Sequence, residues 1–252
     1  PRLRAVLSLD AGVDQFRLAD LDPRIPVARL IDPTLTQRMV EYCQAAVLYF
    51  HRHLHLHARH QAAREWQFIP PVSAAARQVL VLGLGELGSA VAGALAQQGF
   101  QVTGWSRSPK QLPGVDCRHG EAALNEALGR CDVLINLLPL TPQTTGVLNR
   151  DLFARLRPQA CLVQVGRGGH LVEADLLAAL DAGQLAGAFI DVFGVEPLPA
   201  EHPFWAHPAL RLTPHVASLS DPVQSAATVI DNIGRAMRGE PLRHAIDRSA
   251  GY

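Results

Sequence analysis

The sequence predicts an α/β fold built on a doubly wound parallel sheet. Three observations carry that expectation: short apolar runs recur along the chain, helical segments alternate with them, and a glycine-rich turn comes directly after the run Val79-Leu80-Val81-Leu82.

At the start of the chain, Leu3-Arg4-Ala5-Val6-Leu7-Ser8-Leu9 reads as a strand already under way, so part of the fold is expected upstream of Pro1. From Val40 the apolar positions Val40, Cys43, Val47, Phe50 and Leu54 recur at spacings of three and four, the seam of one long amphipathic helix. The stretch from Trp66 to Pro71 ends it, with Pro70-Pro71 as the breaker. Val79 to Leu82 is then a buried strand that runs into Gly83 and opens a βα unit. Ala90 to Gln98 reads as a helix stopped by Gly99, Gln101-Val102-Thr103 as the next strand and Val133-Leu134-Ile135-Asn136-Leu137 as another. Three more runs come later, Leu162 to Val165, Phe189 to Phe193 and Leu210 to Leu212, and each leads into a polar residue: Arg167, Glu196 and His215. Pro222 opens a last amphipathic helix, Val223 to Arg238, before a polar tail.

Composition bounds the function. Of the 252 residues 48% are apolar and 18% charged, which fits one or two globular domains with a sizeable core. Lysine plus arginine (23) balance aspartate plus glutamate (23), so no net field recruits nucleic acid or an acidic membrane, and a small molecule is the expected partner. Cys43, Cys117, Cys131 and Cys161 lack CxxC spacing and the density of a disulfide-stapled domain, and read as reduced core thiols of a cytoplasmic protein. No stretch reaches the roughly 18 uncharged apolar residues of a membrane span, and no basic-then-apolar leader opens the chain, so a soluble, untargeted protein is expected.

Gly83-Leu84-Gly85-Glu86-Leu87-Gly88 sits after a strand and opens a helix, the context in which GxGxxG becomes a dinucleotide fingerprint. The glycines allow a tight turn, a close approach of the pyrophosphate and close packing of helix on strand, and the helix N-terminus offers N–H groups to the anion. About 20 residues on, where an acidic residue would hold the ribose of NAD, the text is Gly104-Trp105-Ser106-Arg107-Ser108-Pro109-Lys110. It has no carboxylate. Arg107 and Lys110 can neutralise a 2′-phosphate and Ser106 and Ser108 can donate to it, so NADP(H) is expected in preference to NAD(H). His51, His53, His55, His57 and His60 include pairs four apart, but no carboxylate or cysteine lies close by in sequence, and a solvated or subunit-interface face is the better reading. No metal is assigned.

If the last three apolar runs lie in one parallel sheet, Arg167, Glu196 and His215 emerge at its carboxyl edge, where open α/β sheets bind ligands. An arginine between Gly166 and Gly168 can approach a carboxylate and hold it bidentately. Each residue alone has an ordinary structural reading, a surface ion pair or a satisfied histidine, and their shared edge is what favours an active site.

With these residues in this order the chain resembles the D-isomer-specific 2-hydroxyacid dehydrogenases, and within them the glyoxylate/hydroxypyruvate reductase A group. The resemblance rests on Ala11-Gly12-Val13-Asp14, Gly83 to Gly88, Gly104 to Arg107, Leu134 to Pro139 with Thr141-Pro142, Arg167-Gly168, Asp191-Val192-Phe193, Glu196 to Pro199 and Thr213 to Ala217. It implies a Rossmann-type dinucleotide domain, placed at 37–220, inside a second, flavodoxin-like substrate domain that is incomplete here, at 1–36 and 221–252, its N-terminal part falling before Pro1. It also implies a homodimer, with Trp66 reaching the neighbour's pocket. The implied reaction is NADPH-dependent reduction of glyoxylate, hydroxypyruvate and similar 2-keto acids. Arg167 would clamp the substrate, Glu196 would pair with His215, and His215 would be the proton donor. Ala11 and Gly12 would offer N–H groups to the substrate carboxylate. Asp191 would face the nicotinamide carboxamide, and Leu138 and Pro139 would line the cofactor.

Two residues depart from the pattern. Asp10 stands where relatives commonly have glycine, which puts a negative charge near an anion site, and Gln164 replaces a common asparagine, which is expected to adjust only the turn. The alternatives are another D-2-hydroxyacid dehydrogenase of D-lactate, phosphoglycerate or formate type, or a non-catalytic dinucleotide-sensing protein of the same fold. Glu196 in place of a glutamine argues against formate, and an intact Arg-Glu-His set against a pure sensor.

Overall fold

The structure is a computed structural model, and it describes residues 3–13, 16, 18–31 and 33–247. Pro1, and Asp14 at the end of the first family motif, lie outside the described residues. Strand β1 (Val6–Leu7) pairs in parallel with β2 (Val27–Ala28), and Ala28 also bridges antiparallel to Ala245, so the two ends of the chain meet. Helices α1 (Pro33–His51) and α2 (Leu54–Ala63) come next. Then come β3 (Gln78–Leu82), α3 (Glu86–Gln97), β4 (Gln101–Trp105), β5 (Asp116–Arg118), α4 (Glu121–Arg130), β6 (Val133–Asn136), α5 (Arg150–Arg155), β7 (Ala160–Gln164), α6 (Glu173–Asp181), β8 (Leu185–Ile190), β9 (Leu210–Leu212) and α7 (Pro222–Arg238).

Seven strands form one sheet in the order β5-β4-β3-β6-β7-β8-β9, and every pairing is parallel. This is the doubly wound sheet expected. Side chains alternate across it: Leu80, Leu82, Leu134 and Leu162 join the core under α4, α5 and α6, while Val79, Val81, Val133, Ile135 and Val163 pack with α1 and α3. Both faces are covered, which is why the strands read as unbroken apolar runs. The order reverses between β3 and β6, so the Gly83 turn and the loop after Asn136 flank the crevice at the switch point.

The single long helix expected from Val40 to Leu54 is two helices. His53 adopts a left-handed conformation (φ 57°), α2 buries no residue, and Leu54, at the end of the expected seam, is exposed. The 3.6-residue period runs straight through a break that no glycine or proline marks. The domain boundary expected between 36 and 37 falls inside α1, whose first turn begins with Pro33, so the break in secondary structure comes before that residue. Strand β5 leaves no apolar run in the sequence, being short and carrying the charged pair Asp116 and Arg118 at the sheet edge.

All four cysteines are free, and three are buried. Burial pushes the Cys43 and Cys131 thiols up and the Cys161 thiol to about 12, so these behave as core side chains, whereas Cys117 on the edge strand is half-buried. Among the described residues no helix is long and apolar enough to cross a membrane, and no cluster of histidine, cysteine or carboxylates could hold a metal.

His55 packs edge-on against Phe50 at 5.4 Å, and burial, aided by the charges of His53, Arg59, Arg211 and Arg77, pushes it down to about 4. The unfolded chain takes up that proton near 6.5 and the folded chain resists it, so the stability His55 contributes is present above about 6.5 and is lost as pH falls towards 4. His55→Phe is therefore expected to flatten the fall in Tm on acidification, measured by calorimetry, and parallel curves for the two proteins would refute this.

Candidate active site

At the crevice, Gly83 sits at φ 95°, and a Cβ there would meet the Leu137 carbonyl oxygen at 2.6 Å. A Cβ on Gly88 would meet the Gly83 oxygen at 1.8 Å, so Gly83 is required by the close approach of the loop after β6 and Gly88 by the close packing of α3 on the turn. Gly85 differs. A Cβ there would meet nothing within 4 Å, and Gly85 and Glu86 are exposed at the start of α3, where Gly85 caps the helix without a side-chain bond. The N-terminus of α3 is thus open at Gly85, and a helix N-terminus offers unpaired N–H groups to an anion. A cleft lined by Thr36, Gln37, Val40, Glu86 and Ala90 opens between the first half of α1 and the first turn of α3.

After β4, Arg107, Ser108 and Lys110 are exposed while Ser106 is buried. The Ser106 hydroxyl donates to the Ser108 carbonyl at 2.7 Å, so Ser106 shapes the loop and its own donor is already used. Of the four polar residues expected to meet a 2′-phosphate, Arg107, Ser108 and Lys110 are thus the ones at the surface. Across the crevice, Asn136 Oδ1 accepts from Leu138 N at 3.3 Å and shapes the start of the half-buried loop through Leu138 and Pro139.

Arg167 leaves β7 on a built turn. The buried Gln164 side chain accepts from Asn136 Nδ2 (2.8 Å) and Gly166 N (3.3 Å) and donates to the Arg167 carbonyl (2.8 Å). Gln164 thus braces this turn. Arg167 N donates to His170 Nδ1 at 3.0 Å, and its guanidinium reaches its own turn at the Gly166 carbonyl, 2.9 Å away. A Cβ on Gly168 would meet the Phe193 carbonyl oxygen at 1.8 Å, so only glycine lets this turn pass under the loop that carries Glu196.

Glu196 and His215 meet. Glu196 Oε1 accepts from Phe193 N at 2.9 Å and Oε2 bonds His215 Nδ1 at 2.8 Å, which leaves His215 Nε2 for a ligand. Both side chains are partly exposed, His215 at 44%. His215 itself is left-handed at φ 56°, a conformation that costs a non-glycine residue on the order of 1 kcal/mol or more and persists where its surroundings over-determine it. Asp191 supplies them. Its carbonyl accepts His215 N (2.9 Å), Oδ1 accepts Val216 N (2.9 Å) and the Thr213 hydroxyl (2.6 Å), and Oδ2 accepts Ala217 N (2.9 Å). The sequence points to this buried carboxylate only as a nicotinamide contact, and its grip on the histidine loop has no signature there.

Ala11 and Gly12 lie in the loop after β1, where Ser8 Oγ donates to the Gly12 carbonyl at 2.9 Å and accepts Asp10 N at 3.1 Å. Ser220 Oγ reaches the Leu9 carbonyl at 3.5 Å, which sets this loop beside the segment after His215. Trp66 is fully exposed and Phe68 nearly so, on an irregular stretch after α2.

A glycine-rich turn at the switch point and a carboxylate-oriented histidine beyond the last strand of the same parallel sheet define the class: a nicotinamide-dependent dehydrogenase. The family model for the D-isomer specific 2-hydroxyacid dehydrogenase NAD binding domain matches residues 44–217. The chain belongs to that family of oxidoreductases. It is 42% identical to glyoxylate/hydroxypyruvate reductase A of Photorhabdus laumondii over 99% of this chain and 82% of that protein. Among solved structures, a family member from Xanthobacter autotrophicus Py2 in complex with NADPH and MES superposes with a TM-score of 0.94 at 42% identity, covering all of this chain and 80% of that one. An NADPH-dependent glyoxylate/hydroxypyruvate reductase from Sinorhizobium meliloti, in complex with NADP and sulfate, gives 0.92 at 42% identity over 100% and 81%.

Proposed function

We propose that this protein reduces small 2-keto acids, glyoxylate and hydroxypyruvate among them, to 2-hydroxy acids with NADPH, and the observation that carries the proposal is the Glu196–His215 pair at the edge of the dinucleotide crevice. NADPH, when bound, supplies the hydride; Gly83, Gly85, Glu86, Leu87 and Gly88 would hold its diphosphate and Asp191, Leu138 and Pro139 would lie on the nicotinamide side. Arg167, with Ala11 and Gly12 from the facing loop, would hold the substrate carboxylate. Arg167 also polarises the carbonyl as negative charge develops on its oxygen. His215 Nε2 gives that oxygen a proton, and Glu196 orients the ring. In the oxidation direction the neutral ring takes the proton back.

The activities of the named relatives and the basic Arg107 loop support this substrate and coenzyme. The chain's two ends, 1–36 and 221–252, would form the substrate side and 37–220 the dinucleotide domain. Trp66 and Phe68, exposed on one irregular stretch, support a homodimer in which Trp66 reaches the neighbour's site, and free buried thiols fit a cytoplasmic enzyme.

Steady-state NADPH oxidation with a panel of 2-keto acids tests the reading. Turnover with glyoxylate or hydroxypyruvate is expected; none with any 2-keto acid would favour the dinucleotide-sensing alternative. Arg107→Asp is expected to move the NADPH/NADH ratio of kcat/KM by at least about tenfold towards NADH, because it exchanges a phosphate contact for a ribose acceptor. An unchanged ratio would refute the role given to that loop.

A further inference from the structure

The left-handed histidine is held by a chain of hydrogen bonds that starts on a different element. Tyr42 lies on α1, where Cys43, Ala46 and Val47 are fully buried and fix the helix to the sheet. Its ring meets Phe189 of β8 edge-on at 6.3 Å. Its hydroxyl comes within 2.6 Å of Thr213 Oγ1, and Thr213 Oγ1 lies 2.6 Å from Asp191 Oδ1.

The direction of this chain is set by its protons. An ionised carboxylate only accepts, and a threonine hydroxyl has one hydrogen, so Thr213 gives its hydrogen to Asp191. Thr213 Oγ1 must then accept from Tyr42, which donates. Burial pushes the Tyr42 phenol up, so it keeps that hydrogen across the working pH range. The receiving carboxylate holds Val216 N and Ala217 N, and the same residue's carbonyl holds His215 N. Every link from Tyr42 to the histidine backbone is therefore a directed bond.

We infer that Tyr42 and Thr213 are positioning residues for the proton donor: through Asp191 they keep His215 in its left-handed conformation, with Nδ1 against Glu196 and Nε2 turned to the substrate. The inference rests on the reading of His215 as proton donor. It adds two residues that touch neither substrate nor cofactor in that reading, one of them from a helix far away in the sequence. The physical reason is rigidity. A proton-transfer step depends on the distance and angle of its hydrogen bond, so a small displacement of the donor slows turnover without weakening the binding of either ligand in proportion. Tyr42 carries this to the site because its helix is anchored by the core, whereas residues 213–217 form a loop beyond the end of β9 at Leu212.

The test uses steady-state kinetics and NADPH binding by fluorescence on Thr213→Val, Thr213→Ser, Tyr42→Phe, the double variant Tyr42→Phe/Thr213→Val, and His215→Ala as reference. Thr213→Val keeps the shape and removes the hydroxyl, and should lower kcat by roughly tenfold or more while the NADPH Kd and the keto acid KM stay within about threefold. Thr213→Ser keeps both bonds and should stay within about twofold of the parent, and Tyr42→Phe should lose about three- to tenfold in kcat. The double variant should match Thr213→Val alone, because Tyr42 acts only through Thr213. Equal losses in kcat and in ligand binding, or kcat within about twofold of the parent in both Thr213→Val and Tyr42→Phe, would overturn the inference. If Thr213→Val does not fold, Tyr42→Phe decides on the same criterion. Normal turnover by His215→Ala would instead refute the underlying reading of the site, so the two failures are distinguishable.

Discussion

Replacing His215 by alanine is expected to lower kcat for 2-keto acid reduction by roughly 10²- to 10⁴-fold, the usual worth of a positioned general acid. The structure gives the reason for so large a loss. His215 Nδ1 is held by Glu196 at 2.8 Å, so Nε2 is the one ring nitrogen left to serve a ligand, and no other imidazole takes part in that pair. Alanine removes both the proton and the group that Glu196 orients. NADPH binding should change by no more than about threefold, since the diphosphate turn at Gly83 to Gly88 is built on another loop. The measurement is a kcat and Kd comparison against the parent, and near-normal turnover would remove the proton-donor assignment. Glu196→Gln is the graded companion. It keeps the hydrogen-bond geometry and removes the charge, and so should cost less than the loss of the ring.

Arg167→Ala should cost a similar amount by a different route. An arginine that holds the carboxylate and faces the developing oxyanion acts in both the ground state and the transition state, so KM for the keto acid should rise and kcat should fall, with kcat/KM down by about 10³-fold or more. Arg167→Lys is expected to recover little, because an ammonium cannot form the planar two-point contact. The guanidinium donates to the Gly166 carbonyl at 2.9 Å, on its own turn. Its turn is braced by the buried Gln164, so Gln164→Ala should reproduce part of the Arg167 defect without touching the substrate. An Arg167→Ala protein with the parent's KM and kcat would show that the substrate carboxylate is held elsewhere.

Much of this site is legible before folding. Gly83 and Gly88 announce their turn because no other residue fits where a Cβ would meet backbone at 2.6 and 1.8 Å, a steric demand that leaves a mark in sequence. Arg167, Glu196 and His215 are legible because parallel strands deliver the residues beyond their C-terminal ends to one edge. Asp191 is legible as a site residue, but its partners are not: its bonds to Thr213, Val216 and Ala217 span more than twenty residues and have no periodic signature. Tyr42 is invisible for the same reason, being a half-buried residue on a helix whose seam points elsewhere. The break at His53 escapes because left-handed histidine carries no obligatory residue type, unlike left-handed glycine.

The amino-acid sequence by itself determined the sheet class, the dinucleotide turn and the three residues at the sheet edge, because each depends on local sterics or on the two-sided burial of a strand. Only the tertiary structure decided which of their atoms meet. It set Glu196 Oε2 on His215 Nδ1, spent the Ser106 hydroxyl on the Ser108 carbonyl, and tied Tyr42 through Thr213 to Asp191. The links from Glu196 to His215 and from Tyr42 to Asp191 join residues far apart in the chain, and a hydrogen bond is worth its energy only within a few tenths of an ångström, a precision that packing supplies and residue order does not.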